Sequence, residues 1–185
     1  MRARLVLGLD YRRMETWDAI NSIRVIRKFT DEPLAPEHLE RILNAGRRAA
    51  SSKNEQTWAF IVVTDRALLR ELTAVGRYAD HLAGAAAAVA LVTPEESGPH
   101  VRTTMWDMGR AAQNMVLAAW ELGIGSVPAT AHNHKVAAKL LGLPENRRCD
   151  FLLSFGYPAD PSKLTAPNKS GGRRALDQVV RQNRW

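Results

Sequence analysis

The stretch SIRVIRKF, residues 22–29, places Arg24 and Arg27 three positions apart among apolar residues and ends at an aromatic ring. Apolar residues recur at helical spacing before and within it, which predicts a helix over residues 15–28. Positions i and i+3 of a helix share a face, so both guanidinium groups could reach one anion. On this stretch alone, two solvated arginines beside a core face are the simpler interpretation.

The composition is that of an ordinary globular protein. The chain has 185 residues, of which 45% are hydrophobic and 24% charged, and this predicts one domain with a substantial core. The single cysteine, Cys149, excludes an internal disulfide, and no Cys/His pattern typical of zinc is present.

The net charge of +7 raises the question of a nucleic-acid partner. Six of the basic residues, against one acid, lie between residues 163 and 185. No recognition helix, zinc finger or RNA-binding sheet motif accompanies them, and a basic tail can equally hold a small phosphate ligand. We therefore expect no nucleic-acid partner.

Two apolar stretches of the sequence bear on the location of the protein. The longest apolar run, residues 82–92, is too short to span a bilayer, and the apolar middle of residues 1–13 is short for a signal peptide. We expect a cytoplasmic protein with no membrane partner. Residues 1–13 are expected to form an N-terminal extension before a single domain of residues 14–185, with Met14 as an alternative start.

The remaining pattern predicts an α+β fold, because helices and strands mix without strict alternation. Pro36 is suited to the first position of a helix. The predicted helices after the first cover residues 36–50, 67–76, 103–125 and 134–143, and the predicted strands or extended segments cover residues 58–64, 85–93, 126–131 and 149–158. The helix over 103–125 is apolar nearly all round, which is typical of a domain centre or a subunit interface.

The loop AASSKNEQTWAF, residues 49–60, collects small hydroxyl and amide side chains between a helix and a strand. Ser51, Ser52, Asn54 and Gln56 could read the carbonyl and N–H edges of a planar heterocycle. A plain polar turn is the alternative.

The segment GIGSVPATA, residues 123–131, leads from a glycine-rich turn into an extended stretch. Pro128 has no backbone N–H, which leaves those of Ala129, Thr130 and Ala131 as candidate donors to a ring nitrogen or an oxyanion. A simple connection between helix and strand is the alternative.

Two further motifs lie towards the C-terminus. The HNH sequence at 132–134 lacks the additional ligands that a metal site needs, and Asn133 or His134 is suited to cap the following helix. In SGGRRAL, residues 170–176, Arg173 could clamp a phosphate with two hydrogen bonds, or the segment could be a solvated tail.

No Ser-His-Asp order, Walker loop or GxGxxG motif is present, and Cys149 suits packing better than nucleophilic attack. If the protein is an enzyme, a cofactor carries the reaction and no side chain is assigned as catalytic.

Taken in order, these pieces resemble the FMN-dependent nitroreductase family over roughly residues 15–181. The similar motifs are IRVIRKF (23–29), ASSKNEQTW (50–58), DMGRAAQN (107–114), LGIGSVP (122–128) and RRAL (173–176). The sequence departs from the family at Ile23 and Val25, where the family usually has an arginine and a serine.

The resemblance implies a site for FMN, with a deazaflavin as the alternative cofactor. It implies that cationic side chains hold the phosphate and ribityl chain, that the 51–56 loop meets the flavin partly from the other subunit, and that the 128–131 segment lies over the ring with a backbone donor to N5. The implied residues are Arg24, Val25 (through its backbone), Arg27, Ser51, Ser52, Asn54, Gln56, Pro128, Ala129, Thr130, Ala131, Arg173 and Arg174, and no metal ligand is implied.

The fold that the resemblance implies is a central mixed, mostly antiparallel sheet flanked by helices, in an interlocked homodimer. The implied function is a flavin oxidoreductase that uses NADH or NADPH to reduce nitroaromatic, quinone or related small acceptors by a ping-pong mechanism. A flavin-fragmenting or dehalogenating relative, a flavin-binding protein without turnover and a basic nucleic-acid binder are the alternatives.

Overall fold

The computed structural model describes residues 14–95, 100–167 and 172–185, so the predicted extension over residues 1–13 lies outside the described residues. The helices within the described ranges are α1 Thr16–Ser22, α2 Pro36–Arg47, α3 Arg66–Glu71, α4 His100–Glu121, α5 His134–Leu141, α6 Ser162–Thr165 and α7 Leu176–Val179. The strands are β1 Ala59–Val63, β2 Ala87–Pro94, β3 Gly125–Thr130 and β4 Arg147–Gly156. Short 3-10 turns cover Ser52–Asn54, Leu72–Val75 and Asp80–Gly84.

The four strands form one sheet in the order β1-β2-β4-β3, and all three pairings are antiparallel. A single parallel bridge joins Val25 to Ser126 on the outer edge of β3. Strand β2 is buried over nearly its whole length, because β1 and β4 flank it and helices cover both sheet faces. The predicted α+β fold with a mixed, mostly antiparallel sheet is confirmed.

Helices pack on both faces of the sheet. One face carries α3, α5 and two of the 3-10 turns over a cluster that includes Leu69, Ala129 and Leu152. The other face carries α2 and α4 over a cluster that includes Ile42 and Phe155. Both sides of the sheet are therefore core.

The central helix α4 buries one stripe of side chains at a spacing of three or four residues, namely Met108, Ala111, Met115 and Ala119. This spacing places them on one face of a helix. Trp106 on the same helix is 71% exposed. None of the described helices is long and apolar enough to cross a membrane.

The prediction of a helix over residues 15–28 is wrong in its second half. Helix α1 ends at Ser22, and Ile23 already has extended geometry, with φ −56° and ψ 136°. The backbone N–H of Ile26 donates to the Ser126 carbonyl at 3.0 Å, so this stretch lies beside β3. Side chains of an extended segment alternate between two sides, so Arg24 and Arg27 do not share a helical face.

Gly125 permits the close approach of this extended stretch to the start of β3. A β-carbon added at Gly125 would lie 2.6 Å from the Cβ of Ile26, which is 5% exposed. We expect Gly125→Ala to lower the free energy of unfolding by about 1–2 kcal/mol through overpacking. Urea denaturation measures this effect, and Gly84→Ala is the control because an added β-carbon there meets nothing within 4 Å. Equal stability of the two variants would contradict the proposed contact.

Candidate cofactor site

The first basic stretch lies next to the beginning of the C-terminal tail. Phe29 and Pro158 form an antiparallel bridge, and Ala159 N–H donates to the Lys28 carbonyl at 3.0 Å. The half-buried Arg24 guanidinium donates to the Ala166 carbonyl. Two parts of the chain that are more than a hundred residues apart in sequence therefore meet at one edge of the fold.

The arginines of the RRAL motif are exposed. Arg173 donates to the carbonyl of Gly172 at 3.3 Å, and Arg174 is likewise on the surface. Every described residue from 172 to 185 is exposed, including Leu176 at 75% and Trp185 at 100%. Residues 172–185 therefore bury little of their surface against the other described residues.

His81 is a buried histidine that no sequence pattern identified, and the charge of Arg27 acts on it. His81 is 8% exposed, and its Nδ1 atom lies 2.8 Å from the hydroxyl of Ser154 on β4. Burial lowers the pKa of His81, and the charge of Arg27 lowers it further, whereas the Pro128 carbonyl and Asp80 act in the opposite direction. Both influences that lower the pKa favour the neutral ring.

The Nε2 atom of His81 is buried without a hydrogen-bond partner among the described residues. The Pro128 backbone is near enough to the ring to raise its pKa. No sequence pattern distinguishes His81, because it lies in an alanine-rich stretch that resembles no motif.

The 51–56 loop is anchored by a carboxylate on the central helix. Ser52 N–H donates to the Asp107 carboxylate at 2.7 Å, and Asp107 is 5% exposed. Arg110, one helical turn further along, lies 3.7 Å from the same carboxylate. The DMGRAAQN motif therefore contains the residue that holds the loop, a role that its sequence did not indicate.

Several side chains predicted to meet the flavin also shape this loop. The Ser51 hydroxyl accepts from Gln56 N–H at 3.0 Å, and the Gln56 amide donates to the Asn54 side chain at 3.1 Å. Lys53, Asn54 and Gln56 have positive φ angles of 49°, 58° and 48°. Non-glycine residues in this region cost roughly 1–3 kcal/mol each and concentrate at functional sites.

The third predicted element, residues 128–131, is only partly arranged as expected. The backbone N–H of Ala131 is not free, since it donates to the Asp150 carbonyl at 2.8 Å. Backbone groups alternate along an antiparallel strand, so the N–H of Ala129 also faces β4. The N–H of Thr130 faces the outer edge, the same edge at which the Ser126 carbonyl accepts from Ile26.

A cavity of about 440 Å³ opens beside Thr130. Its apolar part is formed by Phe151 on the sheet and by Val101 and Met105 on α4. At the rim, Arg148 donates to Asp150 at 2.7 Å, so this cation is already paired. The cavity has room for a small organic molecule next to the 128–131 segment.

The HNH sequence has a structural role. The side chain of Asn133 accepts from Val136 N–H at 3.2 Å and caps α5, which confirms the predicted helix start. His134 lies 3.6 Å from the Asp150 carboxylate. Within the ranges that the structure describes, no three potential ligands are grouped around a metal position.

Cys149 is buried in β4, where burial raises the pKa of its thiol to about 12. We expect almost no reaction with a thiol reagent at pH 8 in the native state and full reaction in denaturant. The unfolded thiol ionises near its ordinary pKa of 9.0, so the free energy of unfolding should fall as the pH rises from about 9 towards 12. Rapid labelling of the native protein at pH 8 would contradict this placement.

The outer edge of β3 offers donors and cations to a ligand. Arg27 is exposed, the half-buried Arg24 lies on the same extended stretch, and the Thr130 N–H points outward. A phosphate and a heterocycle with carbonyl and ring-nitrogen acceptors match this set chemically. The residues present therefore fit FMN.

These features define an α+β protein with a candidate cofactor site at the edge of an antiparallel sheet. Comparison with known proteins gives the family. The sequence profile of the Nitroreductase family matches residues 20–85 and 73–157. A relative in Archaeoglobus fulgidus, whose name describes an NADH dehydrogenase/NAD(P)H nitroreductase, is 36% identical over 143 residues, covering 74% of this chain and 82% of that protein. The chain belongs to the nitroreductase family, as its motifs predicted.

Two further similar proteins show the range of named activities. The iodotyrosine deiodinase of Thermotoga neapolitana is 28% identical over 169 residues, covering 78% of this chain and 89% of that protein. The solved NADPH:FMN oxidoreductase from Vibrio harveyi, complexed with NAD+, has a TM-score of 0.81 and 28% identity, covering 92% of this chain and 77% of that chain.

Proposed function

We propose that this protein is an FMN-dependent oxidoreductase that uses NADH or NADPH to reduce nitroaromatic, quinone or related acceptors in a ping-pong cycle. The enzyme class and the cofactor follow from membership of the family and from the relatives named above. The observation that carries the proposal in this chain is the outer edge of β3, where the exposed Arg27 follows the bridge between Val25 and Ser126 and the Thr130 N–H faces away from β4.

The proposed binding residues are those predicted from the sequence, with the corrections given above. Arg24, Arg27, Arg173 and Arg174 hold the phosphate and ribityl chain, and Val25 contributes its backbone. The ring lies against residues 128–131, with the Thr130 N–H as the donor to N5 because it faces outward. Ser51, Ser52, Asn54 and Gln56 approach the flavin from the partner subunit.

Bound FMN would supply two-electron redox chemistry between the nicotinamide nucleotide and the acceptor. The chain would orient the ring through the Thr130 N–H, and Arg27 would place positive charge beside the ring, where it would favour the reduced form. The cavity beside Thr130 admits donor and acceptor in turn, as a ping-pong cycle requires. Its apolar lining suits flat organic acceptors.

A homodimer is the second part of the proposal. The described chain leaves Trp17 at 69% exposure, Trp106 at 71% and the apolar residues of the tail on its surface. A groove of about 430 Å³ lies between α2 and the edge strand β1 and is lined by Trp58 and Phe60. We propose that it holds residues 172–185 of the partner subunit. Apolar surfaces of this kind mark interaction sites.

The dimer and the flavin site are expected to be inseparable, because the proposed site takes its 51–56 loop from the partner. Sedimentation of the holoprotein should show a dimer at micromolar concentration, and dilution to monomer should release FMN. A stable monomer that retains FMN would contradict the shared site.

The proposed activity is tested by the colour of the purified protein. A yellow protein that is bleached by NADH or NADPH without oxygen, and recovers on addition of a quinone or nitroaromatic compound, is the expected result. A yellow protein that neither nucleotide bleaches would favour a flavin-binding protein without this turnover. A colourless protein that does not bind added FMN would overturn the proposal.

Dehalogenation is the second candidate, because the deiodinase of Thermotoga neapolitana covers most of this chain at 28% identity. Release of iodide from iodotyrosine by the dithionite-reduced protein would favour it, and quinone reduction without iodide release would exclude it. Reduced nicotinamide nucleotides are held inside cells, so we also propose a cytoplasmic location with small molecules, rather than nucleic acid or membrane, as partners.

A further inference from the structure

We propose that Gly76 is a positioning residue for the flavin, because its missing side chain lets a loop close on the backbone of Thr130 and sets the place of the Thr130 N–H. This inference rests on the proposed function, in which that N–H is the donor to N5 of the ring. It begins from a close approach. A β-carbon added at Gly76 would lie 2.3 Å from the Thr130 carbonyl oxygen and 3.3 Å from His132 Nδ1.

Gly76 is explained by this lack of space and not by its backbone conformation. Its φ of −167° and ψ of 156° are extended values that any residue adopts. Observed β-carbons almost never lie within 3.0 Å of another heavy atom, so a side chain at this position would displace backbone. Glycine is the residue that permits two backbones to approach this closely.

Both backbones at this contact are held in place. Val75, next to Gly76, is fully buried, and its carbonyl accepts from the Asn133 N–H at 2.9 Å. On the other side, the N–H of Ala131 is bonded to β4. Because the nearest atom is a carbonyl oxygen of the main chain, no side-chain rotation relieves a clash between an added methyl group and Thr130.

The outer edge of β3 is covered on both sides of the Thr130 N–H. At one end, the Ser126 carbonyl accepts from the Ile26 N–H at 3.0 Å. Pro128 follows on the same edge and has no N–H to offer. At the other end, Gly76 lies against the Thr130 carbonyl.

The N–H and the carbonyl of one strand residue point to the same neighbouring side. The Thr130 N–H therefore lies beside the Gly76 contact, and a shift of the carbonyl also moves the N–H. Hydrogen bonds weaken steeply when the donor and the acceptor are misaligned. An added methyl group at Gly76 should thus weaken the bond to N5 while the arginines proposed to hold the phosphate stay in place.

The test compares the binding of FMN with that of 5-deaza-FMN, in which a C–H group replaces N5 and accepts no hydrogen bond. Wild-type apoprotein should bind FMN about three- to tenfold more tightly, as for one hydrogen bond. In Gly76→Ala, the two ligands should bind about equally. Gly84→Ala is the matched control and should keep the preference, because a β-carbon added there meets nothing within 4 Å.

A double variant separates the two contacts of the added methyl group. In Gly76→Ala/His132→Ala, the contact with the imidazole is removed and the contact with the Thr130 carbonyl remains. The preference for FMN should stay lost. Recovery of the preference would show that the effect passes through His132, and it would overturn the assignment to Thr130.

Val75→Ala decides the matter if Gly76→Ala does not fold. This variant shortens the buried anchor of the loop and adds no atom at the contact with Thr130. A looser loop should reduce the preference for FMN over 5-deaza-FMN. An unchanged preference in folded Val75→Ala would then overturn the proposal.

The outcomes separate this inference from the proposed function. If wild-type protein binds neither ligand, the proposed function fails. If wild type binds FMN and 5-deaza-FMN equally, the proposed function stands, but Thr130 is not the donor to N5 and the role of Gly76 is overturned. If Gly76→Ala weakens both ligands by the same factor and keeps the preference, Gly76 supports only the fold.

Discussion

Replacement of Arg27 by alanine is expected to weaken FMN binding by about ten- to a hundredfold. A hydrogen bond to a charged group is worth about 1.5–3 kcal/mol, which corresponds to this range. The affinity for the reduced flavin should fall more than the affinity for the oxidised flavin, because the cation stabilises the anion of the reduced ring. The reduction potential of the bound flavin should therefore shift to more negative values.

Fluorescence titration of each apoprotein with FMN measures the affinity, and a dye-coupled reduction measures the potential. Arg27→Lys should rescue only part of the loss, since an ammonium group does not reproduce the planar fork of a guanidinium. Arg181→Ala is the control, because Arg181 is exposed and lies outside the motif, stacked over Trp185. Unchanged affinity and potential in Arg27→Ala would remove this residue from the site.

Alanine substitution of Arg173 and of Arg24 should have different effects, because the two side chains have different surroundings in the structure. Arg173→Ala should weaken FMN binding and leave riboflavin binding unchanged if Arg173 contacts only the phosphate. Arg24→Ala should also loosen the beginning of the tail, since Arg24 donates to the Ala166 carbonyl. A loss of stability in the apoprotein is therefore expected for Arg24→Ala and not for Arg173→Ala.

Removal of the Asp107 carboxylate is expected to release the 51–56 loop. Its bond from Ser52 N–H is 2.7 Å long and buried, and the loss of a charged acceptor costs about 1.5–3 kcal/mol. Once the anchor is gone, the strained positive φ angles at Lys53 and Asn54 can relax to ordinary conformations. FMN binding should weaken about tenfold in Asp107→Ala, because a mobile loop no longer offers a fixed surface to the flavin.

Trypsin tests the same change directly, since Lys53 is exposed at the centre of the loop. Cleavage after Lys53 should be much faster in Asp107→Ala than in wild type. Asp107→Asn retains an oxygen acceptor and should show an intermediate rate, and the exposed Asp31→Ala should cleave like wild type. Equal rates in all four proteins would show that Asp107 does not hold the loop.

Local patterns were sufficient for most elements of the fold. Helix α2 begins at Pro36 as predicted, because a proline at the first helical position loses no internal hydrogen bond. Helix α5 begins directly after its cap Asn133. The regularly spaced apolar residues around the DMGRAAQN motif lie on α4, where a helix was predicted. Each of these features depends on residues within one or two turns of one another.

Two predictions failed for the same reason: the helix that was expected to continue past Ser22, and the free backbone N–H groups expected at Ala129 and Ala131. The helical spacing of residues 15–28 continues past Ser22, but the Ile26 N–H bonds to Ser126, a hundred residues away. A long-range hydrogen bond to a strand competes with the local helix, and the β-branched residues Ile23, Val25 and Ile26 suit the extended form. Likewise, the outward donor on β3 depends on which of its edges pairs with β4, which no local pattern specifies.

By itself, the sequence determined the order of helices and strands and the membership of the family, because these depend on local periodicity and on colinear motifs, and the same motifs predicted which residues hold a flavin. Tertiary structure alone decided that Arg24 meets the beginning of the tail, that Thr130 carries the outward donor, and that His81 is buried beside Ser154. The physical reason is that burial, strand pairing and hydrogen bonds between distant residues arise only when the chain is packed, and the chemistry of this site depends on those distant contacts.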